Sequence, residues 1–252
     1  MATIAIGDIH GELEALTDLL ARVEPELSSG DTVVFLGDYI DRGPRSKECI
    51  DRILDFWAST SAEVVALLGN HEEWLLRTLD DPRRHSWLLA MDVFPTIESY
   101  SPEAAAAIRA AAAEAGGRLY TEKPPLPYQL FFDAMPPAHR AFLQGLRAYV
   151  ETDDVLCVHG GIDVRAGPPN QQSAKSLVWG TARFQTEYDG PAWLVYGHWH
   201  NTTLDDSGRC LPAVIGRTIG IDTIEHGVLT AVRFPDLSVF QSGRAEPLKL
   251  DA

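Results

Sequence analysis

Three short apolar runs near the start of the chain limit its fold more than any other feature. They are Thr3-Ile4-Ala5-Ile6, Thr32-Val33-Val34-Phe35-Leu36 and Glu63-Val64-Val65-Ala66-Leu67-Leu68. Runs of aliphatic, β-branched and aromatic residues of this length read as buried strands. Each stops at a glycine that leads into polar side chains: Gly7-Asp8-Ile9-His10-Gly11, Gly37-Asp38-Tyr39-Ile40-Asp41-Arg42-Gly43 and Gly69-Asn70-His71-Glu72. Between the runs, Leu13, Leu16, Leu19, Leu20 and Val23, then Ile50, Ile53, Leu54 and Trp57, recur at helical spacing. A β-α-β-α-β order implies right-handed crossovers and a mainly parallel sheet. The three polar clusters then reach the same sheet edge, where ligands bind in open α/β sheets.

From residue 80 to about 150 the rhythm breaks. Ser101 reads as an N-cap, with Pro102 in the first turn, an alanine-rich run, and Gly116-Gly117 as the stop. Lys123 to Pro127 is a proline-rich loop, and Phe142, Leu143, Leu146 and Tyr149 form another helical face. We expect a helical insertion without a sheet of its own, inside a single domain spanning 1–252. The remaining chain reads as β-rich. Val155–Val158 runs into His159-Gly160-Gly161, and Trp193–Tyr196 into Gly197-His198-Trp199-His200. Strands around 218–222, 228–232 and 237–240 close the pattern.

A chain of 252 residues, 45% hydrophobic and 23% charged, has enough apolar material for a full core. Its net charge of −15 would repel a phosphate backbone, so nucleic acid is not an expected partner. The three cysteines, Cys49, Cys157 and Cys210, lack metal-like spacing and point to a reducing compartment. Cys157 lies within an apolar strand and reads as a small buried hydrophobe. No signal-peptide pattern or membrane-spanning run is present, so a soluble, cytoplasmic protein is expected.

The chemistry resides at the strand ends: Asp8 and His10, Asp38 with Asp41 and Arg42, Asn70 and His71, His159, then His198 and His200. Carboxylate, imidazole and amide oxygen suit hard or borderline divalent metals, and the absence of cysteine argues against a structural zinc knot. One such cluster is weak evidence. Five at successive strand ends fit two metals roughly 3.5–4 Å apart sharing a carboxylate.

These motifs resemble the three signatures of the phosphoprotein phosphatase branch of the calcineurin-like metallophosphoesterases. His159-Gly160-Gly161 and Gly197-His198 are similar to its later histidine motifs, and Gly220-Ile221-Asp222-Thr223 through Leu229-Thr230-Ala231 to its closing segment. Small bacterial and phage members, including the diadenosine tetraphosphatases, look nearest. The resemblance implies an α/β fold of two packed mixed sheets flanked by helices. It also implies two divalent ions, with manganese the first choice and iron or zinc the next. Asp8, His10 and Asp38 would hold one ion; Asp38, Asn70, His159 and His198 would hold the other, with Asp38 shared. A hydroxide between the ions would attack phosphorus directly. His71 would protonate the leaving oxygen, Asp41 would orient His71, and Arg42 and Asn70 would bind phosphoryl oxygens.

Two positions depart from the family pattern. Thr181 stands where a phosphate-binding arginine is expected, and Arg183 lies two residues later, either reaching in or serving as a surface charge. His200 is either a further ligand of the first metal or a hydrogen-bonding residue outside it. The expected activity is hydrolysis of phosphate monoesters of the serine/threonine protein phosphatase type, the partner being a phosphoprotein or small phosphate ester. The alternative is hydrolysis of a dinucleoside polyphosphate. A third reading, a binding module that kept the metals and lost catalysis, would not need Asp41, Arg42 and His71 together.

Overall fold

The structure, a computed structural model, describes residues 1–200, 202–206 and 208–250. The strands are β1 (Thr3–Ile6), β2 (Thr32–Phe35), β3 (Glu63–Ala66), β4 (Tyr149–Glu151), β5 (Val155–Val158), β6 (Trp193–Tyr196), β7 (Thr202–Leu204), β8 (Cys210–Ile215), β9 (Thr218–Gly220), β10 (Thr230–Phe234), β11 (Ser238–Gln241) and β12 (Leu248–Lys249). They form two six-stranded sheets, β12-β11-β10-β1-β2-β3 and β4-β5-β6-β9-β8-β7. Both are mixed. β1, β2 and β3 run parallel, as do β5, β6 and β9, with antiparallel strands towards the edges. The expected mainly parallel sheet is thus the centre of a mixed one.

The strands read as unbroken apolar runs because both sheet faces are covered. Val33 and Phe35 pack outward on helices, while Val34 and Leu36 point to the layer between the sheets. In the second sheet Val155 and Cys157 join that same inner layer, whereas Leu156 and Val158 face outward onto Leu177 and Phe184. The period-two alternation therefore separates two buried faces. Cys157 is fully buried, as expected for a small hydrophobe.

Helices α1 (Leu13–Val23) and α2 (Ser46–Ser59) cover the first sheet. Then follow α3 (Asn70–Asp80), α4 (Ser86–Ala90), α5 (Phe94–Tyr100), α6 (Pro102–Ala115), α7 (Arg118–Thr121), α8 (Gln129–Ala134) and α9 (Pro137–Gln144). α6 is capped as its sequence implies: Ser101 Oγ accepts from the Ala104 N–H at 3.1 Å. This block shares its core with the sheet, since Trp87, Ile97, Phe131 and Phe142 lie in one apolar cluster with Ile6 and Phe35. One expectation needs correction. The helix carrying Phe142 ends at Gln144, and Tyr149 opens β4, which pairs with β5. The helical block therefore yields to a strand before residue 150. No helix among the described residues is long and apolar enough to cross a membrane.

Candidate metal and phosphoester site

The parallel strands of both sheets deliver their carboxyl ends to one place. Asp8 and His10 follow β1, Asp38 and Asp41 follow β2, and Asn70 and His71 open α3 beyond β3. From the second sheet, His159 follows β5, His198 and His200 follow β6, and Asp222 follows β9. The turns are tight and unusual. His10, Asp38, Asp41, Arg42 and His198 all have positive φ, between 46° and 68°. L-residues rarely adopt that conformation, and it concentrates where function over-determines the backbone. Neighbouring glycines make room. A Cβ at Gly197 would overlap Asp8 Oδ1, and one at Gly69 would overlap Asp38 Oδ1.

Asp38 is central. Its Oδ2 lies 3.6 Å from His10 Nε2 and 3.8 Å from His71 Nε2, and its Oδ1 lies 3.4 Å from His159 Nε2. Two groups have the spacing of metal ligands, His10–Asp38–His71 and Asp38–His159–His198, and Asp38 belongs to both. Asn70 Oδ1 is 2.9 Å from His159 Nε2 and 2.9 Å from His198 Nδ1, which brings the amide into the second group. His10 and His159 each direct Nδ1 to a backbone carbonyl, Ile40 and Leu36 respectively, so Nε2 faces the site. Backbone acceptors commonly fix the rings of metal-binding histidines in this way. Asp8 Oδ2 accepts from the His198 N–H at 2.9 Å.

Buried carboxyl groups dominate the electrostatics of the site. Asp8, Asp38, Asp41, Glu72 and Asp222 are all essentially buried. Burial, reinforced by Asp222, pushes the Asp8 carboxyl up. Burial opposes ionisation of Asp38 as well, but His159 and His71 outweigh it and hold that carboxyl below its usual range. Burial disfavours charge on His159 too, yet Asp38 and Asp8 raise its imidazole to about 10. A metal at His159 would take the place of its Nε2 proton. Burial brings His10 down to about 3 and His198 to about 4, leaving both neutral and able to ligate. Among the described residues, buried Asp8 Oδ1, His10 Nε2 and Asp222 Oδ1 have no hydrogen-bond partner. Unsatisfied oxygen and nitrogen acceptors around a shared carboxylate fit divalent metal ions.

A second network flanks the donors. His71 Nδ1 is 2.8 Å from Asp41 Oδ2, which also accepts from Trp87 Nε1 at 2.8 Å; Asp41 Oδ1 accepts from Thr96 Oγ1 at 2.8 Å. Trp87 and Thr96 belong to α4 and α5, so the helical block touches the site directly. Burial opposes a proton charge on His71, but Asp38 and Asp41 outweigh it and raise its pKa.

Sequence reasoning missed Trp87, Thr96 and Glu72. Glu72 accepts from the backbone N–H groups of Asp38, Tyr39 and Ile40 at 3.0, 2.9 and 3.3 Å and so clamps the strained turn. Its place in Gly69-Asn70-His71-Glu72 was the only signal. The other expected residues lie further out. His200 Nδ1 sits 3.3 Å from Asp222 Oδ2 and 3.2 Å from Glu225 Oε2, outside both ligand-spaced groups. Arg42 pairs with Glu225 at 2.6 Å beside a cavity of about 410 Å³ that His10 also lines. Arg183 is exposed just before the short helix Phe184–Glu187, and its guanidinium has no hydrogen bond or ion pair to a site residue among the described residues. Thr181 donates to the Ile162 carbonyl at 2.9 Å. Trp199 packs on His198 and donates to the Gly160 carbonyl.

The profile of the calcineurin-like phosphoesterases matches residues 1–202, and the chain belongs to that family. It is a metal-dependent hydrolase of phosphoester bonds. Among relatives, the asymmetrical bis(5'-nucleosyl)-tetraphosphatase PrpE of Geobacillus sp. (strain WCH70) is 30% identical over 249 residues, covering 92% of this chain and 90% of that protein. The enzyme of the same name from Bacillus velezensis is 27% identical over 254 residues, covering 94% and 90%. The fold matches a crystal structure of a candidate diadenosine tetraphosphatase with a TM-score of 0.61 at 19% identity, covering 100% of this chain and 95% of that one. It also matches the cold-active protein-tyrosine phosphatase of a psychrophilic Shewanella sp., with a TM-score of 0.56 at 18% identity and coverage of 98% and 80%.

Proposed function

We propose that this protein is a binuclear metal phosphohydrolase acting on dinucleoside tetraphosphates. The observation that carries the chemistry is Asp38, common to two ligand-spaced groups; His71 belongs to the first and is paired with Asp41, while Asp8 lies outside both and offers a buried, unpartnered Oδ1. Asp8, His10 and Asp38 would hold one ion, and Asp38, Asn70, His159 and His198 the other. Manganese is the first choice for that donor set. Two divalent ions, when bound, would supply positive charge near the phosphoryl group and lower the pKa of bound water towards neutrality. The chain's own groups do the rest. Arg42 binds phosphoryl oxygens through a guanidinium suited to bidentate contact. His71, held by Asp41, gives its proton to the leaving oxygen. Residues 1–252 act as one domain, and α4 and α5 form the wall that fixes Asp41.

The substrate class is supported by relatives of nearly full length that carry the tetraphosphatase name. It also has local support. Half-buried Trp74 and Trp179 lie with ring centroids 5.0 Å apart, and Trp179 stands edge-on to His198 at 5.7 Å. Exposed faces of such rings accept nucleobases. A second reading, a phosphate monoesterase of the protein phosphatase type, is favoured by the acidic rim, where Glu12 and Glu225 line the cavity with Arg42. The discriminating experiment is a panel of diadenosine tetraphosphate, a phosphoserine peptide and para-nitrophenyl phosphate, with products resolved. AMP plus ATP at the highest kcat/KM supports the proposal. Preference for the peptide supports the second reading, and no turnover of any of the three with metal supplied refutes both.

A further inference from the structure

Arg42 is already occupied. Its Nη1 donates to Glu225 Oε1, and Glu225 sits on the 3-10 turn Ile224–His226 that follows β9 and Asp222. The second oxygen of Glu225 lies 3.2 Å from His200 Nδ1, and that nitrogen lies 3.3 Å from Asp222 Oδ2. A continuous polar chain thus runs from Arg42 through Glu225 and His200 to the buried carboxylate of Asp222. Arg42 and Glu225 border the cavity beside His10, with Glu12 also on its wall. Arg42 is the sole arginine or lysine among the residues lining it, facing two carboxylates.

A carboxylate and a phosphoryl group make the same demand on a guanidinium. An end-on bidentate phosphoryl contact would use Nη1 and Nη2, and Nη1 is the nitrogen that Glu225 now holds. We infer that Glu225 is a specificity-determining residue: a resident carboxylate that competes with the phosphoryl group for Arg42 and must be displaced as substrate binds. His200 makes the displacement less costly, because a carboxylate leaving Arg42 keeps its second oxygen beside an imidazole. The simpler alternative is a surface ion pair that only pins the turn. The partial exposure of both side chains, 37% and 46%, is compatible with either. The position on the cavity wall, with the same Nη1 engaged, supports competition.

The inference rests on the reading of Arg42 as a phosphate-binding group, and the test separates the two. Inorganic phosphate is titrated calorimetrically into the metal-loaded protein as wild type, Glu225→Gln, Arg42→Ala and the double variant. Glu225→Gln preserves size and removes the charge, and Glu225→Ala serves as a second variant that cannot hold Arg42 at all. Competition predicts that both Glu225 variants bind phosphate roughly twofold to fivefold more tightly, the range for releasing a partly exposed ion pair. KM should fall in parallel. In the Arg42→Ala background, the Glu225 substitution should lose most of that effect. If Arg42→Ala leaves phosphate affinity unchanged, the reading of Arg42 fails and the inference with it. If Arg42→Ala weakens phosphate but neither Glu225 variant tightens it, or the gain persists without Arg42, the competition is refuted and Glu225 only pins the turn.

Discussion

Replacing Asp41 with asparagine isolates the charge that sustains the proposed general acid. Asp41 Oδ2 accepts from His71 Nδ1 and Trp87 Nε1, while Oδ1 accepts from Thr96 Oγ1. Thr96 Oγ1 also accepts from the Asp41 N–H at 2.7 Å and lies 2.9 Å from Ser46 Oγ. An asparagine can keep its oxygen towards His71 and Trp87 and turn its NH₂ to Thr96. Thr96 then accepts twice and gives its own proton to Ser46, so the Ser46 hydroxyl hydrogen and the second amide hydrogen lose their acceptors. Asp41→Ala would strand three donors, His71 Nδ1, Trp87 Nε1 and Thr96 Oγ1, at roughly 1–3 kcal/mol each and would also empty the carboxyl's place, so asparagine is the milder replacement. What Asp41→Asn loses is the charge assistance to His71. A hydrogen bond to a charged group contributes about 1.5–3 kcal/mol, and about 1.4 kcal/mol is a decade in rate, so kcat should fall roughly 10- to 150-fold. That loss should appear with a phosphoserine peptide or another poor leaving group. It should nearly vanish with para-nitrophenyl phosphate, whose phenolate needs little protonation. Paired kinetics on both substrates, with metal content measured alongside, provide the assay. An equal loss on both, or a loss of bound metal, would refute the assignment.

Three further outcomes are expected. His71→Asn should lower kcat roughly 10²- to 10⁴-fold on poor leaving groups with metal content preserved; calorimetric metal titration and paired substrates check both halves. His200→Ala should leave the affinity for both ions unchanged, because His200 faces Asp222 and Glu225; weaker binding of one ion, restored by raising free manganese, would return it to the ligand set. His139 joins Tyr100 and Asp51 at 2.8 Å each across three helices, so His139→Phe should cost about 1–3 kcal/mol by denaturant unfolding. Burial opposes it, but His139 and Lys47 hold the Asp51 carboxyl below its ordinary range. A depressed folded pKa gives stability that is present above the unfolded value of about 3.9 and lost as pH falls through the folded one. His139→Phe should therefore flatten that acid limb, and an unchanged limb would assign it to other carboxylates.

The parts of this protein that were legible in its sequence are those built by local pattern. β1, β2, β3, β5 and β6 are short runs buried on both faces, so each reads as continuous apolar chain with an abrupt polar end. The α6 cap was legible because Ser101, Pro102 and Gly116 act within one turn of the helix they bound. The edges were not. β7 has no buried residue, and β8 mixes buried and exposed ones with Pro212 inside it, so neither carries a clean period. Tyr149 fell in with Phe142 and Leu146 at helical spacing although Gly145 had ended the helix. Trp87 and Thr96 reach Asp41 across 46 and 55 residues of chain, a link no local motif encodes. Glu72 looks like an ordinary acidic residue in a helix first turn until its oxygens are seen on the Asp38–Ile40 amides.

Metal stoichiometry with and without the Asp38 carboxylate tests whether two ions share it. Calorimetric titration of manganese into metal-free wild type should give two ions per chain. Asp38→Asn should weaken both binding events together and abolish turnover, while His10→Ala should weaken one. One ion per chain in the wild type, loss of a single event in Asp38→Asn, or phosphoesterase activity that persists after exhaustive metal removal would contradict that sharing.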